Sequence, residues 1–314
     1  MKPCERSITR WQLRSRSIEL GRRTLVMGIV NVTPDSFSDG GAFFRPENAV
    51  AHALALLDEG ADLLDLGAES TRPGSRAGGV AGTPQAPAVS AELEQARLLP
   101  VLEGILHARP GTIVSVDTYK AATARAALAA GAEIVNDVSG FLWDPAMAAA
   151  CAEAGCGVVL MHTRGRPEEW RTQPALAPDA LLAEVREGLK TSMEAAAEAT
   201  LAPESIVLDP GYGFGKGFEG NYALLARQAE LLALGRPLLA GLSRKSFLGK
   251  TLAPLYGGTD APVEKRETAS VAALVVAILQ GASIVRVHAA RPAVEAARIA
   301  DAVLAARLDR SLPS

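Results

Sequence analysis

The sequence predicts a (β/α)8 barrel, an α/β fold of the TIM-barrel type. Three observations carry that reading. Eight short, near-continuous aliphatic runs recur along the 314 residues, as expected of strands buried on both faces. Helix-like segments separate them, and eight such pairs over ~280 residues match the count and size of this barrel. A glycine recurs where a helix hands over to a strand, in Gly60-Ala61-Asp62, Gly131-Ala132-Glu133 and Gly281-Ala282-Ser283. Glycine suits the position just past a helix end, where a positive φ is wanted.

Taken in order, the strand runs are 25-LVMGIV-30, 62-DLLDLG-67, 112-TIVSV-116, 134-IV-135 with its neighbours, 157-GVVLM-161, 205-SIVL-208, 238-LLAGL-242 and 284-IVRV-287. Helices are expected over 47–60, 91–107, 119–130, 145–154, 179–200, 220–234, 265–281 and 292–307. A doubly wound sheet would place a glycine fingerprint after its first strand. Here that position holds Asn31-Val32-Thr33-Pro34. Ahead of the barrel, residues 1–24 read as a hairpin closing the barrel floor, because 17-SIELGR-22 reads as strand then turn. No second domain is visible, so 1–314 is expected to be one domain with its core at about 17–307.

Composition narrows the function. The chain is 48% hydrophobic and 21% charged, with a net charge of -3, enough apolar material for a sizeable core. No long basic block is present, so nucleic acid is not an expected partner. The three cysteines, Cys4, Cys151 and Cys156, form neither a disulfide framework nor a tight zinc pair. The longest apolar run, 271-VAALVVAIL-279, is about half a membrane span. The N-terminus lacks the apolar segment of a secretory signal. The expectation is a cytoplasmic protein with no membrane partner.

In such a barrel the chemistry stands at the C-terminal ends of the strands. Those ends carry Asn31, then Glu69-Ser70-Thr71-Arg72, Asp117, Asn136-Asp137, Met161-His162, Asp209, Ser243-Arg244-Lys245-Ser246 and Arg286-Val287-His288. Any one of them could simply cap a helix. Polar groups at every strand end are harder to explain by capping alone. Carboxylates can take paired N–H groups from an amidine-like edge, and amides read mixed donor and acceptor edges. Arginine can stack on an aromatic face. Together they suit a flat heterocycle with an anion beside it. The run 209-DPGYGFGKGF-218 resembles a phosphate loop at first sight. Its spacing departs from G-x-x-x-x-G-K-[ST], since Lys216 is followed by Gly217. It reads better as the rim of a pocket around Asp209.

Eight segments, in order, resemble the dihydropteroate synthase family of pterin-binding enzymes. They are 27-MGIVNVTPDSFSDGG-41, 69-ESTRPGS-75, 115-SVDTYK-120, 136-NDVSG-140, 160-LMHTRG-165, 209-DPGYGFGK-216, 243-SRKSFLG-249 and 286-RVH-288. The resemblance implies a (β/α)8 transferase that usually forms a homodimer. It would join 4-aminobenzoate to 6-hydroxymethyl-7,8-dihydropterin diphosphate, releasing diphosphate with the help of Mg²⁺, and would be a sulfonamide target. It places Asp117, Asn136, Asp209, Lys245, Met161 and Val138 around the pterin. It places Arg286 over the pterin face and, with His288, at the diphosphate, with Thr71 nearby, and Asn31 at the Mg²⁺–diphosphate site. Phe37, Thr71, Arg72, Pro73, Phe214 and Ser246 would shape the aminobenzoate pocket. Asp35, Arg72, Lys245, Arg286 and His288 would carry the catalysis.

The chain departs from the family in small ways. Ala289 follows Arg-Val-His where an Asp is usual, Thr163 replaces a common Met, and 73–90 is longer than the usual connection. Three rivals stay open. A pterin-dependent methyltransferase domain shares the grip but usually lacks the Asn-Val-Thr-Pro-Asp-Ser-Phe loop. A non-catalytic pterin-binding paralogue would not need the reactive-loop residues present here. A Schiff-base aldolase would use Lys245. His52, His107, Trp143 and Trp170 read as structural or surface residues.

Overall fold

The structure is a computed structural model that describes residues 6–32, 45–69 and 89–309. Two short antiparallel strands come first, β1 (Thr9–Gln12) and β2 (Ser17–Leu20). Eight parallel strands follow: β3 (Leu25–Asn31), β4 (Leu63–Gly67), β5 (Val114–Asp117), β6 (Ile134–Asp137), β7 (Gly157–Met161), β8 (Ile206–Asp209), β9 (Leu238–Ala240) and β10 (Ala282–Val287). They close into a barrel in chain order, with β10 hydrogen-bonded back to β3 from Ile284↔Leu25 to Val287↔Gly28. The predicted (β/α)8 barrel and its leading hairpin are both present.

Helices wrap the outside: α1 (Pro46–Asp58), α2 (Ala91–Ala108), α3 (Ala121–Ala129), α4 (Met147–Ala154), α5 (Pro178–Glu198), α6 (Phe218–Ala226), α7 (Ser246–Thr251), α8 (Glu267–Leu279) and α9 (Ala290–Asp309). Their ends follow local chemistry. Ser90 caps α2 by accepting from the Leu93 N–H at 3.2 Å. Proline opens α1 and α5, where its missing N–H costs nothing. The handover glycines Gly60, Gly131 and Gly281 all have positive φ, from +94° to +112°. No described helix is long and apolar enough to cross a membrane.

Two elements differ from expectation. The helix expected over 220–234 stops at Ala226 and continues as a 3-10 turn, Gln228–Leu234. Gln228 is fully buried there. It accepts from the Tyr212 hydroxyl at 2.8 Å and donates to the Ala277 and Gln280 carbonyls. Satisfying that amide fixes the local backbone more strongly than continuing the helix does. The connection after β9 also carries the extra helix α7 before α8.

The hairpin seals the barrel floor. Trp11, Leu13 and Leu20 are buried in one cluster with Leu25, Met27, Leu63, Ile134, Val159, Val207, Leu239 and Ile284. The Trp11 indole donates to the Ser205 carbonyl at 2.8 Å, which satisfies its single polar atom. The Ser15 N–H donates to the buried Glu133 carboxylate at 2.8 Å, and Arg14 Nε donates to the Ala132 carbonyl at 3.0 Å. Gly157 opens β7 because a Cβ there would lie 2.7 Å from Leu13 Cδ2. Replacing Trp11 with Ala should therefore cost about 3–5 kcal/mol of unfolding free energy in a denaturant titration. A loss below about 1 kcal/mol would show that the hairpin is not part of the core.

Candidate active site

The site follows from the two-residue period of the strands. On β3, Leu25 and Met27 belong to the floor cluster, while Ile29 and Asn31 line a cavity at the barrel mouth. The same step leads from Ile134 to Asn136 on β6, from Val159 to Met161 on β7 and from Val207 to Asp209 on β8. On β10 it leads from Ile284 to Arg286 and His288. On these five strands the floor positions are apolar and the mouth positions mostly polar, so the alternation along each of them separates the two ends of the barrel.

The cavity holds about 290 Å³, close to the lower end of ordinary ligand sites. Its walls include Asn31, Asp117, Asn136, Val138, Met161, Asp209, Phe214, Lys245, Ser246, Arg286 and His288. The described part of the expected site is thus brought to one place. Asp35, Phe37, Thr71, Arg72 and Pro73 lie outside the described residues.

Arg286 is the hub. Its Nε donates to Asp65 Oδ2 at 2.6 Å, and its Nη2 donates to Asp117 Oδ2 at 2.8 Å. Asn136 Nδ2 donates to the same Asp65 oxygen at 2.9 Å. Burial pushes the Asp117 carboxyl up to about 7, against the pull of Arg286. Burial pushes Asp209 up as well, while the Gly211 N–H, donated to its Oδ1 at 2.7 Å, and the nearby lysines oppose that shift. Asp65, fully buried on β4, is a residue that sequence reasoning missed. It sits two positions before the strand end, inside 62-DLLDLG-67. A carboxylate at an inward position of an apolar run was the available signal.

The glycine-rich run after β8 is a rim and not a phosphate loop. Gly211, Gly213 and Gly215 have φ of +69°, +86° and +69°, and a Cβ on Gly211 would sit 1.9 Å from the His162 carbonyl oxygen. Lys216 is buried beneath the rim. Its ammonium donates to the carbonyls of Gly211 at 2.7 Å, His162 at 3.1 Å and Phe214 at 3.3 Å. Three donors meet three acceptors, so this lysine pins the loop. Burial pushes its pKa down to about 7 even with Asp209 nearby.

The pinned loop presents Phe214 to the cavity. Lys245 Nζ lies 3.9 Å from the Phe214 ring centroid, a cation–π contact. Trp170 meets Phe214 edge-on, with centroids 4.9 Å apart at 86°. The Trp170 indole donates toward Thr163 Oγ1 at 2.9 Å and the Gly165 carbonyl at 3.1 Å. Trp170 reads from the sequence as a packing or loop residue, yet it lines the cavity. His162, which the sequence places at a strand end, packs into the wall instead. A Cβ on Gly188 of α5 would lie 2.4 Å from its ring. Burial and the cations Lys216 and Arg164 hold its pKa well below the usual value.

On the other side of the mouth, β10 and β3 are neighbours, so Arg286, His288 and Asn31 share one wall. The Ser243 hydroxyl lies 3.0 Å from His288 Nδ1 and accepts from the His288 N–H at 3.2 Å. Glu69 also lines the cavity and is paired with Lys120. No group of three His, Cys, Asp or Glu residues that could hold a metal occurs among the described residues. A lone amide oxygen at Asn31 fits an ion such as Mg²⁺, which takes most of its ligands from phosphate oxygens and water.

Known proteins resemble this chain over most of its length. Residues 27–288 match the family described as pterin binding enzyme. The dihydropteroate synthase of Mycobacterium leprae is 45% identical over 89% of this chain and 93% of its own. A solved Xanthomonas albilineans dihydropteroate synthase with 4-aminobenzoic acid superposes with a TM-score of 0.81 at 40% identity, covering 98% of this chain and 100% of that one. The same enzyme in complex with 7,8-dihydropteroate gives 0.77 at 39% identity, over 97% and 100% of the two chains. The chain belongs to the pterin-binding enzyme family, among its dihydropteroate synthases.

Proposed function

We propose that this chain condenses 4-aminobenzoate with 6-hydroxymethyl-7,8-dihydropterin diphosphate to give 7,8-dihydropteroate and diphosphate, acting as one domain within a homodimer. The observation that carries this reading is the division of the mouth. Acceptors and amides from β5, β6 and β8 (Asp117, Asn136, Asp209) line one part of the cavity, while Arg286, His288 and Asn31 come from the adjacent β10 and β3, with the Arg286 guanidinium reaching across to Asp117. A flat heterocycle with N–H donors suits the first set. A diphosphate suits the second.

In this reading Asp117 and Asp209 accept the N–H edges of the pterin, Asn136 and Lys245 meet its remaining polar atoms, and Met161 and Val138 pack on the ring. Arg286 and His288 neutralise charge that grows on the departing diphosphate, an electrostatic task. Mg²⁺, held through Asn31 and the diphosphate, would supply further charge neutralisation. The incoming aryl amine is neutral near pH 7, so no strong base is needed to activate it. Phe214 and Ser246 would border its ring, together with Phe37, Thr71, Arg72 and Pro73. Asp35 would stabilise positive charge on the pterin methylene as the bond to diphosphate breaks, with Arg72 completing the catalytic set. Sulfonamides would compete for the aminobenzoate pocket.

The deciding assay is diphosphate release with Mg²⁺. Release is expected with both substrates and not with either alone. No release would favour a silent pterin-binding paralogue, and methyl transfer would favour the methyltransferase reading. Asp209→Ala should weaken pterin binding by about 1.5–3 kcal/mol, measured by calorimetry. An unchanged affinity would remove Asp209 from the grip. Asp35→Ala should lower kcat far more than pterin affinity, and unchanged turnover would exclude it from the chemistry.

Asp117 makes pterin binding pH-dependent with a definite sign. Its pKa is about 7 in the empty site, and donated N–H bonds would lower it on binding. Affinity is then full above about 7 and falls as pH drops below it, by at most about tenfold per pH unit. Folding has the opposite slope for this group. A carboxyl whose folded pKa is raised stabilises the fold below its ordinary range and loses that contribution as pH rises through about 7. Asp117→Asn should flatten the binding slope, and a slope that persists in the variant would assign it to another group.

A further inference from the structure

We propose that Asp65 is a positioning residue that aims Arg286 at the anionic leaving group. The proposal rests on the reading of the site given above. Nothing in the expected site includes Asp65, and it does not line the cavity. Its carboxylate is fully buried and stands behind the cavity wall, in contact with two residues that line it. One oxygen, Oδ2, accepts from both Arg286 Nε at 2.6 Å and Asn136 Nδ2 at 2.9 Å. The other oxygen, Oδ1, is buried with no hydrogen-bond partner among the described residues.

That arrangement is costly as a purely structural device. A buried carboxylate with one unmatched oxygen is weak evidence for stability. Arg286 already has a second carboxylate in Asp117, so Asp65 is not needed merely to balance its charge. What Asp65 adds is direction. It binds Nε, the nitrogen nearest the side-chain stem, and so sets the plane and azimuth of the guanidinium. Nη2 is left on Asp117, the carboxylate that the pterin is expected to claim. When pterin N–H groups share the Asp117 carboxylate, which has acceptor sites for several donors, the terminal guanidinium nitrogens are less tied to it, while Nε stays fixed on Asp65. The terminal donors then remain on the β10–β3 wall beside His288 and Asn31, in place for a diphosphate. Asp65 thereby links recognition of the heterocycle, through Asn136 and Arg286, to readiness for the anion.

The test compares two ligands without turnover, 6-hydroxymethylpterin and its diphosphate, titrated calorimetrically with Mg²⁺ present. The ratio of their dissociation constants reports what the diphosphate adds. In Asp65→Asn, which keeps the side-chain shape, this ratio should fall about tenfold, the loss expected when a charge-assisted contact is misaligned. Affinity for the alcohol should change less than the ratio does. Combining Asp65→Asn with Arg286→Ala should add little to the loss in Arg286→Ala alone, because both act through one guanidinium. A ratio within twofold of the original, or additive losses, would overturn the proposal. Asp65→Ala repeats the measurement with the acceptor removed, and a ratio retained there would overturn it equally. Failure of the unaltered protein to bind either pterin would instead overturn the functional reading on which the proposal rests.

Discussion

Carboxylates held out of water at one end of a barrel set the terms for the surrounding structure. Asp65 and Asp117 share one guanidinium, and Asp209 stands across the cavity from them. Taking such charges out of water costs several kcal/mol each unless they are closely partnered. Arg286, Asn136, the Gly211 N–H and the lysines near Asp209 offset that cost. The upward displacement of Asp117 and Asp209 shows that the offset is incomplete in the empty site. The hairpin belongs to the same design. By sealing the floor with Trp11, Leu13 and Leu20 it keeps the barrel interior dry, and a dry interior strengthens the electrostatics at the mouth.

The glycine rim answers the same constraint from the other side. A loop that passes close to a ring needs backbone conformations that side chains do not allow, and Gly211 and Gly213 supply them. Such a loop would be loose by itself. Lys216 removes that freedom by binding three of the surrounding carbonyls from below. The cation that made the run look like a phosphate cradle is therefore taken up by backbone carbonyls beneath the rim. It gives the rim the rigidity that a binding surface on glycines would otherwise lack.

Much of this was legible in the sequence, for a physical reason. Strands buried on both faces must be aliphatic, and their C-terminal ends must carry the polar groups, so both the barrel and its mouth can be read from short runs. Asn31, Asp117, Asn136 and Asp209 each follow an aliphatic run directly and stand where that rule puts them. Asp65 escaped because it lies within its run, where only the alternation of faces distinguishes an inward carboxylate from an outward one. Trp170 escaped because it reaches the cavity from a loop with no periodicity, held by an indole hydrogen bond that no local pattern encodes. The break at Ala226 escaped because it depends on Tyr212, Ala277 and Gln280, all distant in the chain.

The aromatic wall shows how the two kinds of information combine. With a neutral amine as nucleophile, little selectivity can come from proton transfer, so the choice of the second substrate falls to shape and charge. Phe214 offers a ring face, but that face is already in contact with the Lys245 ammonium. Its edge contact with Trp170 fixes its tilt. Trp170 is in turn held by Thr163 and Gly165, in the segment that follows β7. The position of Phe214 is thus inherited from two loops, after β7 and after β8, while Lys245 comes from a third, after β9. A change in any one of them moves the wall against which an aryl ring would lie. Thr163, one of the positions where this chain departs from its relatives' usual residue, supplies the hydroxyl that orients Trp170. The departure therefore bears on the tilt of Phe214 and, through the ring face, on its contact with Lys245.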